Sequence, residues 1–456
     1  VTYSNLSLAA AITSPDHPVW QWLEKRRTHI AGLSLELRVD VDDDPAPQSL
    51  PDWMQPLHTL SSIPDVQLKV EWVGVIADLD HPYIDQWLRQ HGKLISKLTV
   101  EIDVSDDRLK LRDFSEAAAS CRSIDLTMVH IGQGIDFTDL APVAGSLLYL
   151  YCEPDGGYGS LRDLSAFRNM TQLRGLQLDR ELFPGGEAWG LLAKLTGLQM
   201  LSLEVIASGD PSLLSALTGL SALSLYSRRE LEPDDPALFS FSSLQPLSTL
   251  QQLQVLHLGT NACAATSLEG LVGLSKLESL EIRFNRSRGR LRSLEGISPG
   301  VIELCIFMAP DLVSLVGLEG STRMEKLSLQ CCGVSSLEAL SGLSSLKEVM
   351  VSQCSLTSVE GLNSSSLQTL TLAYCSPLPQ LGGFEHLSTL QDLAIVHCDD
   401  LTSLQPLSQL GKSLQKLTVE GCLKVQEEVL ELPYVQPTAD VVVTCSNVKE
   451  VVLAGG

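Results

Sequence analysis

Between residues 324 and 422 the apolar positions return on one frame, and each copy ends in a cysteine. Met324, Leu327, Leu329 and Cys332 form the first copy. Leu346, Val349, Val351 and Cys354 form the second, and Leu367, Leu370, Leu372 and Cys375 the third. Leu390, Leu393, Ile395 and Cys398 follow, then Leu414, Leu417, Val419 and Cys422. The cysteines are 22, 21, 23 and 24 residues apart, a period that marks a stack of repeats. Within each copy the two central apolar residues are separated by one other. This alternation predicts a short strand with one face on the core and the other outward.

The same frame extends upstream. Leu253, Leu256, Leu258 and Asn261 match it, as do Leu277, Leu280, Ile282 and Asn285, and Val301, Leu304, Ile306 and Ala309 more weakly. Earlier units are longer: Cys121–Ile124–Leu126, Leu147–Leu150–Cys152, Leu173–Leu176–Leu178, Leu198–Leu201–Leu203 and Leu220–Leu223–Leu225. Between strands a second signature recurs, as Ser267-Leu268-Glu269-Gly270-Leu271, Ser293-Leu294-Glu295-Gly296-Ile297 and Ser358-Val359-Glu360-Gly361-Leu362, with an echo at Leu404-Gln405-Pro406-Leu407. Such short segments suit one turn of 3₁₀ or α helix more than a long helix.

At the start of the chain a unit is duplicated. Asp16-His17-Pro18, Trp22-Leu23 and Leu33-x-Leu35 are echoed by Asp80-His81-Pro82, Trp87-Leu88 and Leu98-x-Val100. Each copy predicts a short helix leading into a strand, with a further strand at Val66-x-Leu68-x-Val70 between them. Trp20, Trp22, Trp53, Trp72 and Trp87 all lie here, as bulky cover for an open core end. At the other end Val441–Thr444 and Val448–Leu453 read as strands, and Glu427–Leu432 as a short helix.

The frame L-x-x-L-x-L-x-x-C/N resembles the leucine-rich repeat family, and the short return segments resemble its phosphatase-regulator type. The resemblance implies an α/β solenoid: a leucine-rich repeat horseshoe with a concave parallel sheet of about 16 strands, and short helices or 3₁₀ turns on the convex side. The expected organisation is an N-terminal cap over 1–110, longer repeats over 111–226 and an inserted loop at 227–241. Regular repeats over 242–425 and a C-terminal cap over 426–456 complete one continuous solenoid. The cysteines Cys332, Cys354, Cys375, Cys398 and Cys422 take the slot held by Asn261 and Asn285, so they read as structural residues that serve backbone groups in the turn after each strand.

Composition narrows the function classes. The net charge of −23 and pI near 4.7 oppose nucleic acid and anionic membrane at long range. No apolar run reaches 18 residues, so membrane insertion is not expected. The apolar patch Leu6–Ile12 has no preceding Lys or Arg and makes a poor signal peptide. Eleven cysteines without a C-x-x-C pair point to reduced thiols and an intracellular, reducing compartment, cytoplasm or nucleus. The acidic runs at Asp40–Asp44 and Asp103–Asp107 lack the glycine and distal glutamate of a calcium loop. Gly411-Lys412-Ser413 has Pro406 where a phosphate loop needs glycine. The nine histidines show no metal-ligand spacing, and no catalytic motif is found, so neither enzyme activity nor a cofactor is expected.

The candidate binding residues are those the frame does not require. Outward strand positions carry Tyr226, His257, Arg283, Phe284, Phe307, Met308, Tyr374 and His397. Arg283, Arg286, Arg288, Arg290 and Arg292 form a basic cluster, and the 227–241 insertion brings Arg228 and Arg229. Aromatic residues and arginine are favoured at binding hot spots. The expected function is a non-enzymatic protein–protein interaction scaffold, a subunit of a larger assembly, with partner sites on the concave face or the 227–241 insertion. The Trp-Leu duplication and cysteine-bearing repeats also resemble intracellular plant and green-algal proteins in which F-box modules precede such repeats. That implies the substrate-recognition part of an F-box-type ubiquitin ligase; no F-box is evident in a chain that starts at Val1. The third expectation is a regulatory subunit of a phosphatase or other enzyme.

Overall fold

In the computed structural model the described residues are 6–9, 18–26, 33–40, 66–76, 82–103, 108–129, 131, 136–153, 163–183, 188–205, 210–226, 241–259, 262–284, 289–362, 365–410, 413–426, 428–432, 440–445 and 448–453. The chain divides into two compact units, Val1–Ala207 and Ser208–Gly456.

Among the described residues the first unit holds eight strands: β1 (Leu6–Ala9), β2 (Leu33–Asp40), β3 (Val66–Ile76), β4 (Ile95–Asp103), β5 (Ile124–Val129), β6 (Leu147–Cys152), β7 (Gly175–Phe183) and β8 (Met200–Val205). Each pairs in parallel with the next. Helices α1 (Pro18–Arg26), α2 (Pro82–His91), α3 (Arg108–Ala118) and α4 (Ala188–Leu192) return the chain between strands. The duplicated unit folds as its pattern predicts. Leu23 of α1 and Trp87 and Leu88 of α2 are buried, and Leu33 and Leu98 lie on the core face of the following strands. Trp22 is half-buried with the Arg26 guanidinium 4.8 Å from its ring centre. Trp53 and the side chains of Trp20 and Trp72 lie outside the described residues, as do the acidic segments 41–44 and 104–107. The apolar patch at Leu6 supplies a strand, β1, that pairs with β2.

Among the described residues the second unit holds ten strands in one parallel ladder: β9 (Ala222–Tyr226), β10 (Val255–Leu258), β11 (Ser279–Arg283), β12 (Glu303–Phe307), β13 (Lys326–Gln330), β14 (Glu348–Ser352), β15 (Thr369–Ala373), β16 (Asp392–Val396), β17 (Lys416–Glu420) and β19 (Asp440–Thr444). A separate two-stranded sheet pairs β18 (Glu428–Leu432) with β20 (Val448–Leu453). Residues 428–432 are therefore a strand, where a helix was expected. Leu430 and Leu432 are buried while Val429 is exposed, the period of two that a strand requires.

The register places like on like. Leu304, Leu327, Val349, Leu370, Leu393 and Leu417 are aligned across successive strands, and so are Ile306, Leu329, Val351, Leu372, Ile395 and Val419. All twelve are buried. Fully burying one such side chain contributes about 1.5–3 kcal/mol. The return segments contribute a second line of buried leucines, among them Leu268, Leu294, Leu315 and Leu337. Short 3₁₀ turns form at Gln245–Thr249, Glu269–Leu271, Glu338–Gly342 and Gln405–Gln409; the Ser293 and Ser358 copies of the signature fold as plain turns. Serine caps these segments: Ser336 and Ser358 Oγ accept from the backbone N–H of Glu338 and Glu360 at 3.2 and 3.0 Å. This is a leucine-rich repeat stack.

The cysteine slot has a backbone counterpart. The residue just before it is left-handed in five successive copies: Met308, Cys331, Gln353, Tyr374 and His397, with φ between 51° and 59°. Glycine, Gly421, takes the place in the sixth. One left-handed residue resets the in–out alternation, so Ala309, Cys332, Cys354, Cys375, Cys398 and Cys422 all turn inward. None of the five is β-branched, in keeping with the steric cost of this conformation. Each thiol then meets backbone carbonyls: Cys354 Sγ donates to Ser352 O at 3.3 Å, and Cys375 Sγ lies 3.5 Å from both Val351 O and Ala373 O. Asn261 and Asn285, the expected equivalents, lie outside the described residues.

The eleven cysteines are thiols, not disulfides; nine are buried, and Cys305 and Cys331 are half-buried. Burial pushes the Cys121 and Cys263 thiols up to about 12. In Cys332, Cys375 and Cys422 a hydrogen bond shared with the next thiol, then burial, raises the pKa. The thiolate is the reactive form. Brief iodoacetamide treatment of the native protein at neutral pH, read by peptide mass spectrometry, is expected to label Cys331 first and Cys305 more slowly, because burial raises the Cys305 pKa, and to leave the other nine until the chain is unfolded.

Candidate protein-binding face

The side of the sheet away from the core carries three outward positions per repeat in β12–β16. The first lies between the two buried frame residues, the second ends the strand, and the third is the left-handed residue. In β12 they are Cys305, Phe307 and Met308; in β13, Ser328, Gln330 and Cys331; in β14, Met350, Ser352 and Gln353. β15 supplies Thr371, Ala373 and Tyr374, and β16 Ala394, Val396 and His397. None of these fifteen residues is Asp, Glu, Lys or Arg. With 19% charged residues in the chain, fifteen positions would hold about three. Met350 is 45% exposed and Tyr374 51% exposed, so the band opens to solvent there, while Ser352 is covered by its neighbours.

Charge returns at the margin. The residues that begin the strands, Glu303, Lys326, Glu348, Asp392, Lys416 and Asp440, lie in one row interrupted only by Thr369. Lys326 Nζ lies 3.4 Å from Glu303 and 3.7 Å from Glu348. Attraction to Glu348, then its hydrogen bond to Glu303, raises the Lys326 pKa. A charge-depleted centre with a polar margin is the anatomy of protein interfaces.

The sequence-predicted residues fall into two groups here. At one edge Arg283 Nε binds Glu281 at 2.5 Å, and its guanidinium carbon lies 3.8 Å from the Phe307 ring centre. At the other edge Tyr374 stacks on His397, with centroids 4.9 Å apart and planes 19° from parallel. The His397 ring rests on Gly421, where an added Cβ would lie too close to Nδ1 for any side chain to fit unless the ring moved. Strands β13 and β14 separate the two groups. Met308 is half-buried on the band, and Tyr226 and His257 are half-buried on β9 and β10.

Phe284 does not belong to this face. It is fully buried, because the backbone at 284 lacks the left-handed reset found at 308 and the alternation from Ile282 continues inward. Its N–H still donates to Phe307 O at 2.9 Å. Arg228, Arg229, Arg286 and Arg288 lie outside the described residues; Arg290 and Arg292 are exposed on the return segment. The residues that the sequence reading missed are the uncharged ones, Cys305, Met350, Thr371, Ala373, Ala394 and Val396. Their signal is the column, which shows only when the strands are aligned.

In the first unit the corresponding face is different. Tyr149 and Tyr151 stack with centroids 6.2 Å apart, and Lys97 Nζ binds Asp125 at 2.6 Å. Among the described residues no group of three or more His, Cys, Asp or Glu could hold a metal ion, and no helix is long and apolar enough to cross a membrane.

No family model matches the chain, and no curated protein matches it. Among solved structures it is similar to an internalin from Listeria monocytogenes, at 17% identity and a TM-score of 0.45, over 84% of this chain and 95% of that one. It is also similar to the leucine-rich repeat domain of the type III effector XopL, at 18% identity and 0.36, over 52% and 72%. The functional domain of InlJ from Listeria monocytogenes, which includes a cysteine ladder, matches at 12% identity and 0.36, over 77% and 76%. The fold assignment rests on the register of the repeats themselves.

Proposed function

We propose that this protein is a non-enzymatic interaction scaffold whose partner protein seats on the outer face of β12–β16. The observation that carries the reading is the charge-free band of fifteen outward positions, open at Met350 and Tyr374. A broad strand face built from methionine, tyrosine, alanine and valine supplies contact area and no convergent reactive groups. Arg283 on Phe307 and Tyr374 on His397 are ordered anchors at its two ends. Eleven cysteines with no C-x-x-C pair support a reducing compartment as the place of action.

The reading is tested by placing charge in the band. Met350→Lys with Ala394→Lys changes two outward side chains and no core contact. Capture of partners from the native source is expected to fall about tenfold or more, because an unpaired charge would be buried in the complex. Lys326→Gln, at the margin, is expected to change capture little. Equal capture by the double variant and the wild type, with circular dichroism unchanged, would overturn the reading.

A further inference from the structure

The return segments carry a second surface, independent of the sheet face. In successive returns the residue after the buried leucine or valine is Glu269, Glu295, Val316, Glu338 and Glu360. Leu268 N–H donates to Glu295 O, and Leu294 N–H to Val316 O, at 3.1 and 2.9 Å, so these segments are stacked neighbours. The four glutamates are exposed, and among the described residues none is paired with a cation. Val316 therefore interrupts an acidic row with an apolar side chain.

The interruption coincides with a depression. The return from β12 to β13 contains no helical turn, whereas the next forms the 3₁₀ turn Glu338–Gly342. Between them lies a depression of about 440 Å³, lined by Val313, Val316, Ala339, Glu319 and Glu338 among others. Val313 is 58% and Val316 44% exposed, a high exposure for aliphatic side chains that line a concavity. The Glu319 carboxylate is held at the rim, accepting from Gly317 N–H at 2.8 Å. Val313, Val316 and Ala339 form an apolar patch in a lining that also holds Ser314, Ser336 and Ser341, and Glu319 and Glu338 make it acidic.

We propose that this depression docks a segment of a partner protein in which aliphatic side chains are flanked by lysine or arginine. The aliphatic group would cover Val313 and Val316, and the cations would face Glu295, Glu319, Glu338 and Glu360. The complementarity is specific in a testable way, because apolar burial and charge attraction respond oppositely to one substitution. Val316→Glu completes the acidic row with the residue that neighbouring repeats already hold there. Pure charge attraction would strengthen, while the apolar seat would be lost.

The test is fluorescence anisotropy at low ionic strength with labelled Lys-Lys-Leu-Lys-Lys-Leu-Lys-Lys and an oligolysine of equal length. The leucine-bearing peptide is expected to bind the wild type about tenfold more tightly than oligolysine. Val316→Glu is expected to weaken the leucine-bearing peptide about tenfold and to leave oligolysine equal or tighter. Val313→Ser, which adds no charge, is expected to weaken the same peptide. Equal affinities of the two peptides, tighter binding of the leucine-bearing peptide to Val316→Glu, or no association with the wild type would each overturn the proposal.

Discussion

Replacing Leu370 with alanine is expected to destabilise the second unit by about 2–5 kcal/mol. Leu370 is fully buried in β15, between Val349 of β14 and Leu393 of β16 in the ladder. Truncation removes the transfer energy of the side chain and leaves a cavity that the flanking repeats can fill only by shifting along the stack. Because each repeat touches its neighbours alone, the loss is expected to appear first as faster amide hydrogen exchange in β14, β15 and β16. The denaturant midpoint is expected to fall with it. Coincident melts of variant and wild type would place Leu370 outside the core.

Gly361→Ala is expected to have a comparable effect from a different cause. Gly361 has φ 99°, a conformation that alanine enters only at a cost of about 1–3 kcal/mol. An added Cβ would also lie only 2.4 Å from the Glu338 Cα, so the backbones of two return segments would have to separate. Gly296 repeats both features against Glu269. The glycine of the Ser-Leu-Glu-Gly motif is thus where adjacent repeats stack backbone to backbone. Melting temperature and exchange in the 336–362 segment measure the effect; an unchanged melt for Gly361→Ala would remove the close approach from the account.

Much of this was legible from the residues. Leu-x-Leu pairs locate strands because alternation and burial are the same constraint, and the duplicated Trp-Leu units located α1 and α2 for the same reason. The 428–432 strand was missed although Val429, Leu430, Glu431 and Leu432 show a period of two in exposure. A five-residue segment of three apolar residues and two glutamates suits a short helix equally well when no partner strand is known, and β20 arrives only at Val448. Phe284 was misplaced because its direction depends on a single backbone angle, and the same slot is left-handed at Met308 but not at 284. Side-chain pattern carries no direct record of that difference.

The candidate face was present in the sequence but scattered. Cys305, Met350, Thr371 and Ala394 are unremarked singly, and large aromatic and basic residues draw attention first. Register brings them side by side, and only then does the absence of charge become a property of a surface. The reverse happened to the arginine-rich segment: Arg283 is engaged by Glu281 and Phe307, and so acts as one end of the face.

The most direct measurement is site-specific photo-crosslinking in the native source, with p-benzoylphenylalanine introduced in turn at Thr371, Ala394 and Gln409. Thr371 and Ala394 lie in the charge-free band, and Gln409 is exposed on the return from β16 to β17. One partner band common to positions 371 and 394, and absent at 409, is the predicted result. No crosslink from 371 or 394, or the same bands with equal yield from 409, would contradict the assignment of the sheet face as the partner surface.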